Sequence, residues 1–132
     1  MPPEEDNRPQ GTQGDLRGEY LERGGDFLVA FLEGRLVSSG GYVPLSSTEV
    51  EIRRMRVHPR HQRRGFGQAL LSALERRAVG KGYRSVYLET TVLQEPALAL
   101  YRKHGYQGIG RGEKHGYTIL RLRKALPAMT QT

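Results

Sequence analysis

The pattern of apolar and polar positions along the chain predicts a definite order of elements. Phe27-Leu28-Val29-Ala30-Phe31-Leu32 is an unbroken apolar run, Glu33-Gly34 suits a tight turn, and Arg35 to Val43 leads back from it. This is the signature of a β-hairpin. After a loop at 44–48, Glu49 to Val57 reads as a third strand whose alternation fails at Arg53-Arg54-Met55, as it does at a β-bulge. The period then changes. From Gly65 to about Val79, Leu70, Leu71, Leu74 and Ala78 share one helical face, with Glu75, Arg76 and Arg77 off it, and Gly80 and Gly82 end the helix. Arg84 to Val92 is rich in β-branched and aromatic residues and reads as a strand, parallel to the third if the helix is a right-handed crossover. Pro96 suits the first turn of a short helix carrying Ala97, Leu100, Tyr101 and His104, which Gly105 terminates. Tyr106 to about Gly110 and Tyr117 to Leu122 complete the series as a last pair of strands.

Three strands, a helix, a strand, a helix and two strands make a mixed α/β domain with one crossover, placed at residues 15–124. Residues 1–14 lack periodicity and are expected to be a disordered tail, 125–132 a flexible one, and Asp15 to Arg23 has room for one helical turn. The chain of 132 residues, 36% hydrophobic, is enough for a single core. Cysteine is absent, which removes disulfides, thiol nucleophiles and cysteine-ligated metals. His58, His61, His104 and His115 show no metal-ligand spacing, so no metal is expected. No apolar run approaches the roughly 20 residues that span a bilayer. The acidic, polar start is unlike a signal peptide, so a soluble cytoplasmic protein with no membrane partner is expected.

A formal net charge of +7 and a pI near 10.0 call for an anionic partner or a solvated basic face. Arg53, Arg54, Arg56, Arg60, Arg63 and Arg64 all fall on the third strand and the loop after it. That loop, Gln62-Arg63-Arg64-Gly65-Phe66-Gly67-Gln68, enters a helix, where free N–H groups, close-approach glycines and arginines together cradle a phosphate. It lacks the Gly-Lys-Ser/Thr of a nucleoside triphosphate loop and the third glycine of a dinucleotide fingerprint. On these residues alone, an anion cradle and a glycine-rich turn with solvated arginines both stand.

Three blocks narrow the choice: Glu51-Ile52-Arg53-Arg54-Met55-Arg56-Val57-His58-Pro59, then Gln62 to Leu70, then Ala97-Leu98-Ala99-Leu100-Tyr101-Arg102-Lys103-His104-Gly105-Tyr106. In this order and at this spacing the chain, from Phe27 to Leu122, resembles the GNAT family of N-acetyltransferases. The resemblance implies a mixed, mostly antiparallel sheet with a central parallel βαβ crossover, here with a shortened N-terminal region. It also implies an enzyme moving acetyl from acetyl-CoA to an amine. Backbone groups of Met55, Arg56 and Val57 would pair with the pantetheine arm. The segment Gln62, Arg63, Arg64, Gly65, Phe66, Gly67 and Gln68 would hold the pyrophosphate, and Gln94, where many members carry asparagine, would also touch CoA.

Tyr101 matches the tyrosine that protonates the departing thiolate, a task that suits a phenol neutral at pH 7. By helical period alone it reads first as a core aromatic, and only the resemblance reverses that order. Glu51 and Glu89 match general bases of two branches of the family, with Glu49 a weaker third; each also reads as a strand carboxylate paired with arginine. The acceptor stays unidentified. Family members place a strand and one or two helices before the hairpin to form the acceptor wall, so here that wall is open, supplied by a second subunit of a homodimer, or shaped by the loop at 44–48. A non-catalytic CoA-binding module is the main rival reading, and a basic nucleic-acid-binding domain ranks below it.

Overall fold

The computed structural model describes residues 18–128, so the tail expected over 1–14 lies outside the described residues. The elements are β1 (Asp26–Leu32), β2 (Arg35–Pro44), β3 (Glu49–Val57), α1 (Phe66–Gly80), β4 (Ser85–Thr91), α2 (Glu95–Lys103), β5 (Gln107–Lys114) and β6 (Tyr117–Ala125), with 3-10 turns at Leu21–Arg23 and Pro59–His61. One six-stranded sheet runs in the order β1-β2-β3-β4-β6-β5. Every neighbouring pair is antiparallel except β3 and β4, which α1 connects as a crossover. This is the mixed sheet with one parallel unit that the periodicity predicts.

Turn chemistry explains the two hairpins. Glu33-Gly34 and His115-Gly116 both have positive φ at each residue, 52° and 81° in the first and 51° and 81° in the second. Two-residue turns of this kind match the twist of antiparallel strands, and the glycine adopts the left-handed conformation without steric penalty. The predicted bulge in β3 is present: Ser39 pairs with Arg56 and Gly41 with Arg53, so Gly40 faces two residues, and Arg54 takes φ 59°.

The alternation of β3 and β4 sends Val50, Ile52, Val86 and Leu88 to one face, where Leu70, Leu71, Leu74 and Ala78 of α1 and Tyr101 of α2 close over them. Leu71 and Leu74 are wholly buried, each contributing about 1.5–3 kcal/mol of transfer free energy. Both helices thus cover the same face. The final strands run longer than their patterning suggests. β5 is glycine-rich and exposed on almost every residue, so it carries no alternation to read. β6 continues to Ala125, and Leu126 is buried in the core with its N–H donating to Arg84 O. The segment expected as a tail from 125 therefore begins inside the fold, while 129–132 lie outside the described residues.

A buried carboxylate ties the hairpin to α1. Tyr42 Oη donates to Asp26 Oδ2 at 2.6 Å, while Arg77 Nε and Lys81 Nζ reach the same oxygen at 3.3 and 3.1 Å.

Candidate active site

The sheet divides along its centre. β3 and β4 pair at Glu49 with Ser85, Val50 with Val86 and Glu51 with Tyr87. Beyond that, β3 stays with β2 as far as Val57 and β4 stays with β6 as far as Thr91. Ile52–Val57 and Leu88–Thr91 are therefore adjacent strand segments no longer joined by the parallel ladder, and unpaired strand edges are templates for another extended chain. Thr90, on the divergent part of β4, has a buried hydroxyl with no hydrogen-bond partner among the described residues. Met55, Arg56 and Val57 all lie on the divergent part of β3.

The loop leaving β3 is held by its own side chains. His58 Nδ1 accepts the Arg60 N–H at 3.1 Å, and Gln62 Nε2 donates to Val57 O at 3.2 Å. Proline at 59 keeps His58 extended, with ψ 136°. Arg63 and Gly65 have φ of 66° and 89°. Gly65 caps α1 without a side-chain hydrogen bond, and a methyl group placed on it would meet nothing within 4 Å. The first N–H groups of a helix lack intrahelical partners and attract anions, so this loop presents donors around open space. Arg63, Arg64 and Gln68 are exposed around it. His61 is held below its usual pKa by desolvation, with Arg64, His58 and Arg60 adding to the effect.

Close helix packing sits beside this cradle. A methyl group on Gly67 would come within 2.9 Å of Leu100 Cδ2 and 3.3 Å of Val57 Cγ2. Gly67→Val will therefore push α2 off α1 and destabilise the fold by about 1–3 kcal/mol through overpacking, measurable by urea denaturation. Tyr101, next to Leu100, is buried, with its ring centroid 6.0 Å from that of Tyr106. Burial pushes its phenol up to about 12. Gln94 occupies the N-cap of α2 but its side chain makes no cap bond.

The carboxylates lie on the face opposite α1 and α2. Glu51 stands at the last paired position before the divergence and is 3.1 Å from Arg53 Nη2. Glu89 accepts from Tyr87 Oη at 2.6 Å and Lys114 Nζ at 2.7 Å. Burial alone would raise its pKa, but the Lys114 and Tyr87 hydrogen bonds, helped by the charges of Lys114 and Arg121, hold it below the ordinary carboxylate value. Glu49 is taken up by Arg123 at 2.6 Å and Ser85 at 3.0 Å. The arginines do not form one cluster. Arg53 and Arg54 turn to Glu19 at 3.3 and 3.4 Å, which leaves Arg56 exposed on β3 and Arg60, Arg63 and Arg64 on the cradle loop.

The sequence profile of the acetyltransferase (GNAT) family matches residues 1–106. The chain belongs to this family. N-acetyltransferase 8 of Homo sapiens is 32% identical over 103 residues, covering 74% of this chain and 45% of its own length. The chain spans about half the length of the curated relatives it matches, 47% and 46% in two further cases. Among solved structures, Ard1 from Thermoplasma volcanium superposes with a TM-score of 0.80 at 24% identity, over 90% of this chain and 80% of that one. A GNAT family acetyltransferase from Elizabethkingia anophelis with acetyl-CoA bound gives 0.70 at 20% identity, over 85% and 82%.

In GNAT terms, the structure brings together Met55 to Val57, the 62–68 loop and α2 at one end of the divergent strands, with Glu51 at the other. Sequence reading missed Tyr87 and Lys114, the partners of Glu89, and Tyr20, which packs over the sheet beside Arg53. Tyr87 was legible, being two residues before Glu89 on one strand and hence on the same face. Lys114 and Tyr20 meet their neighbours only through tertiary contacts.

Proposed function

We propose that this GNAT protein is an acetyl-CoA-dependent N-acetyltransferase that passes the acetyl group directly to an amine. The divergence of β3 from β4, running to the uncapped start of α1, is the observation that carries the reading. It pairs a slot for an extended arm with donors for a pyrophosphate. The open space at Gly65 and the unpartnered Thr90 hydroxyl fit such an occupant. Acetyl-CoA would supply an activated acyl group as a thioester.

The residues then divide the work. The backbone of Met55, Arg56 and Val57 pairs with the arm as an added strand would, and the N–H groups that alternate toward the open edge face the carbonyl oxygen on which charge develops. N–H groups and side chains from Gln62 to Gln68 neutralise the pyrophosphate, and Gln94, at the N-cap of α2, touches CoA. Tyr101, kept protonated by burial, donates its proton to the leaving thiolate. Between the carboxylates, Glu51 is the better base. Glu89 has both oxygens engaged and its pKa lowered, so it holds a proton less well, and it serves to order Tyr87 and Lys114 instead. With no cysteine in the chain, direct transfer needs no covalent enzyme intermediate.

Calorimetric titration with acetyl-CoA, combined with free-thiol release over panels of amino acids, peptides, polyamines and aminoglycosides, tests this. Saturable binding with amine-dependent thiol release is expected. Binding without release from any amine would favour a CoA-binding module. Salt-sensitive oligonucleotide binding that CoA does not compete would favour the nucleic-acid reading.

A further inference from the structure

Tyr20 is fully buried, on the short segment preceding β1. It lies against the sheet where Gly41 leaves room, since a methyl group on Gly41 would fall 2.8 Å from Tyr20 Cε2. Phe27 meets its ring edge-on at 5.1 Å, and the Arg54 guanidinium stands 5.9 Å from the ring centroid. Gly41 pairs with Arg53 across β2 and β3, and Arg53 holds Glu51. The Cε2 edge of Tyr20 therefore lies over Gly41, whose partner across the ladder is Arg53, and the charges of Arg54, Glu19, Arg53 and Glu51 all reach its phenol. Its Oη is buried and has no hydrogen-bond partner among the described residues. A buried hydroxyl left unpaired is costly, and in a native protein it points to a missing water or ligand. Nearby, Arg54 carries a left-handed φ of 59°, an unfavourable conformation for a non-glycine residue and one found often at binding sites.

We propose that Tyr20 is an acceptor-binding residue: its Oη accepts a hydrogen bond from one N–H of a primary amine while Glu51 takes the proton that the amine must lose, turning the nitrogen lone pair toward the divergent strands. The assignment rests on the acetyltransferase reading above. It gives the segment preceding β1 a share of the acceptor wall. Burial keeps the phenol protonated, with the charges of Arg54, Glu19, Arg53 and Glu51 acting on it in both directions. Glu19, next to Tyr20 in the chain, reaches Arg53 and Arg54 at 3.3 and 3.4 Å. These are long, partly exposed ion pairs of the kind that break readily, so Glu19 is the cover that swings aside to admit the amine.

Tyr20→Phe keeps the ring and deletes only the unpaired hydroxyl. With the amine that the wild type acetylates best, the variant is expected to show a KM for amine raised at least about tenfold, consistent with loss of one substrate hydrogen bond. Its acetyl-CoA affinity and Tm should not fall. Glu19→Gln should lower the amine KM. In the CoA-bound wild type, the NMR signal of 13Cζ-labelled Tyr20 should shift on adding that amine. An unchanged amine KM in Tyr20→Phe, a Tyr20 signal indifferent to amine, or a parallel loss of acetyl-CoA affinity overturns the assignment while leaving the acetyltransferase reading intact. A wild type that binds acetyl-CoA yet transfers to no amine counts against both.

Discussion

Tyr101→Phe will lower kcat by about 100-fold or more, the usual scale for removing a general acid, while acetyl-CoA affinity measured by calorimetry stays within about twofold. The ring, which fills the core with Tyr106 and Leu100, is retained, so the fold should not change. Burial lifts the phenol to about 12, and no charged neighbour opposes it. The group is therefore protonated and competent at every pH up to about 11, and loses its proton only as pH rises through about 12. A pH–rate profile should accordingly show no basic limb due to Tyr101 between pH 7 and 10. Equal turnover in the phenylalanine variant would remove Tyr101 from the chemistry.

The largest stability effect is expected at Asp26. Asp26→Ala strands the Tyr42 hydroxyl in the core and releases Arg77 and Lys81. Removing one partner of a buried ion pair costs about 3–5 kcal/mol; the two cations are half exposed and rehydrate, so the lower end, about 3 kcal/mol, applies. In a domain of this size that corresponds to a Tm lower by on the order of 10 °C. The effect carries a pH signature. Burial would raise the Asp26 pKa, but the Tyr42, Arg77 and Lys81 hydrogen bonds outweigh it and the folded value lies below the reference of 3.8. The stabilisation is complete above that reference and is lost as pH falls through the lower folded value. Wild type and Asp26→Ala should thus converge in stability at strongly acidic pH, as followed by circular dichroism. A constant gap down to pH 2 would show that packing, not charge, accounts for the loss.

How much of this was legible in the sequence depended on the distance over which each feature is encoded. Alternation and turn residues gave β1 to β4 and α1 to within a residue or two, and even the break at Arg53-Arg54-Met55 marked the bulge. The second half of β5 escaped because its glycines and exposed positions leave no pattern, and the end of β6 because Leu126 is buried by neighbours remote in sequence. The cradle was readable because its donors are consecutive. The partners of the carboxylates were not: Glu89 meets Lys114, Arg53 meets Glu19, and Asp26 meets residues on α1 across 51 positions or more. Arginine spacing suggested one basic cluster, whereas pairing with Glu19 removed two of its members.

The seam between β3 and β4 has one further consequence. Only three ladder pairs join the sheet's two leaves, β1-β2-β3 and β4-β6-β5, and the bonds of Glu49 to Ser85 and Arg123 together with the helices on the opposite face do the rest of the fastening. A molecule that hydrogen-bonds both inner margins would act as a missing seventh strand, and its binding free energy would also bind the leaves together. Folding and substrate capture then draw on the same interaction. The sheet is left open along one stitch line, and under the proposed function the cosubstrate would sew it shut.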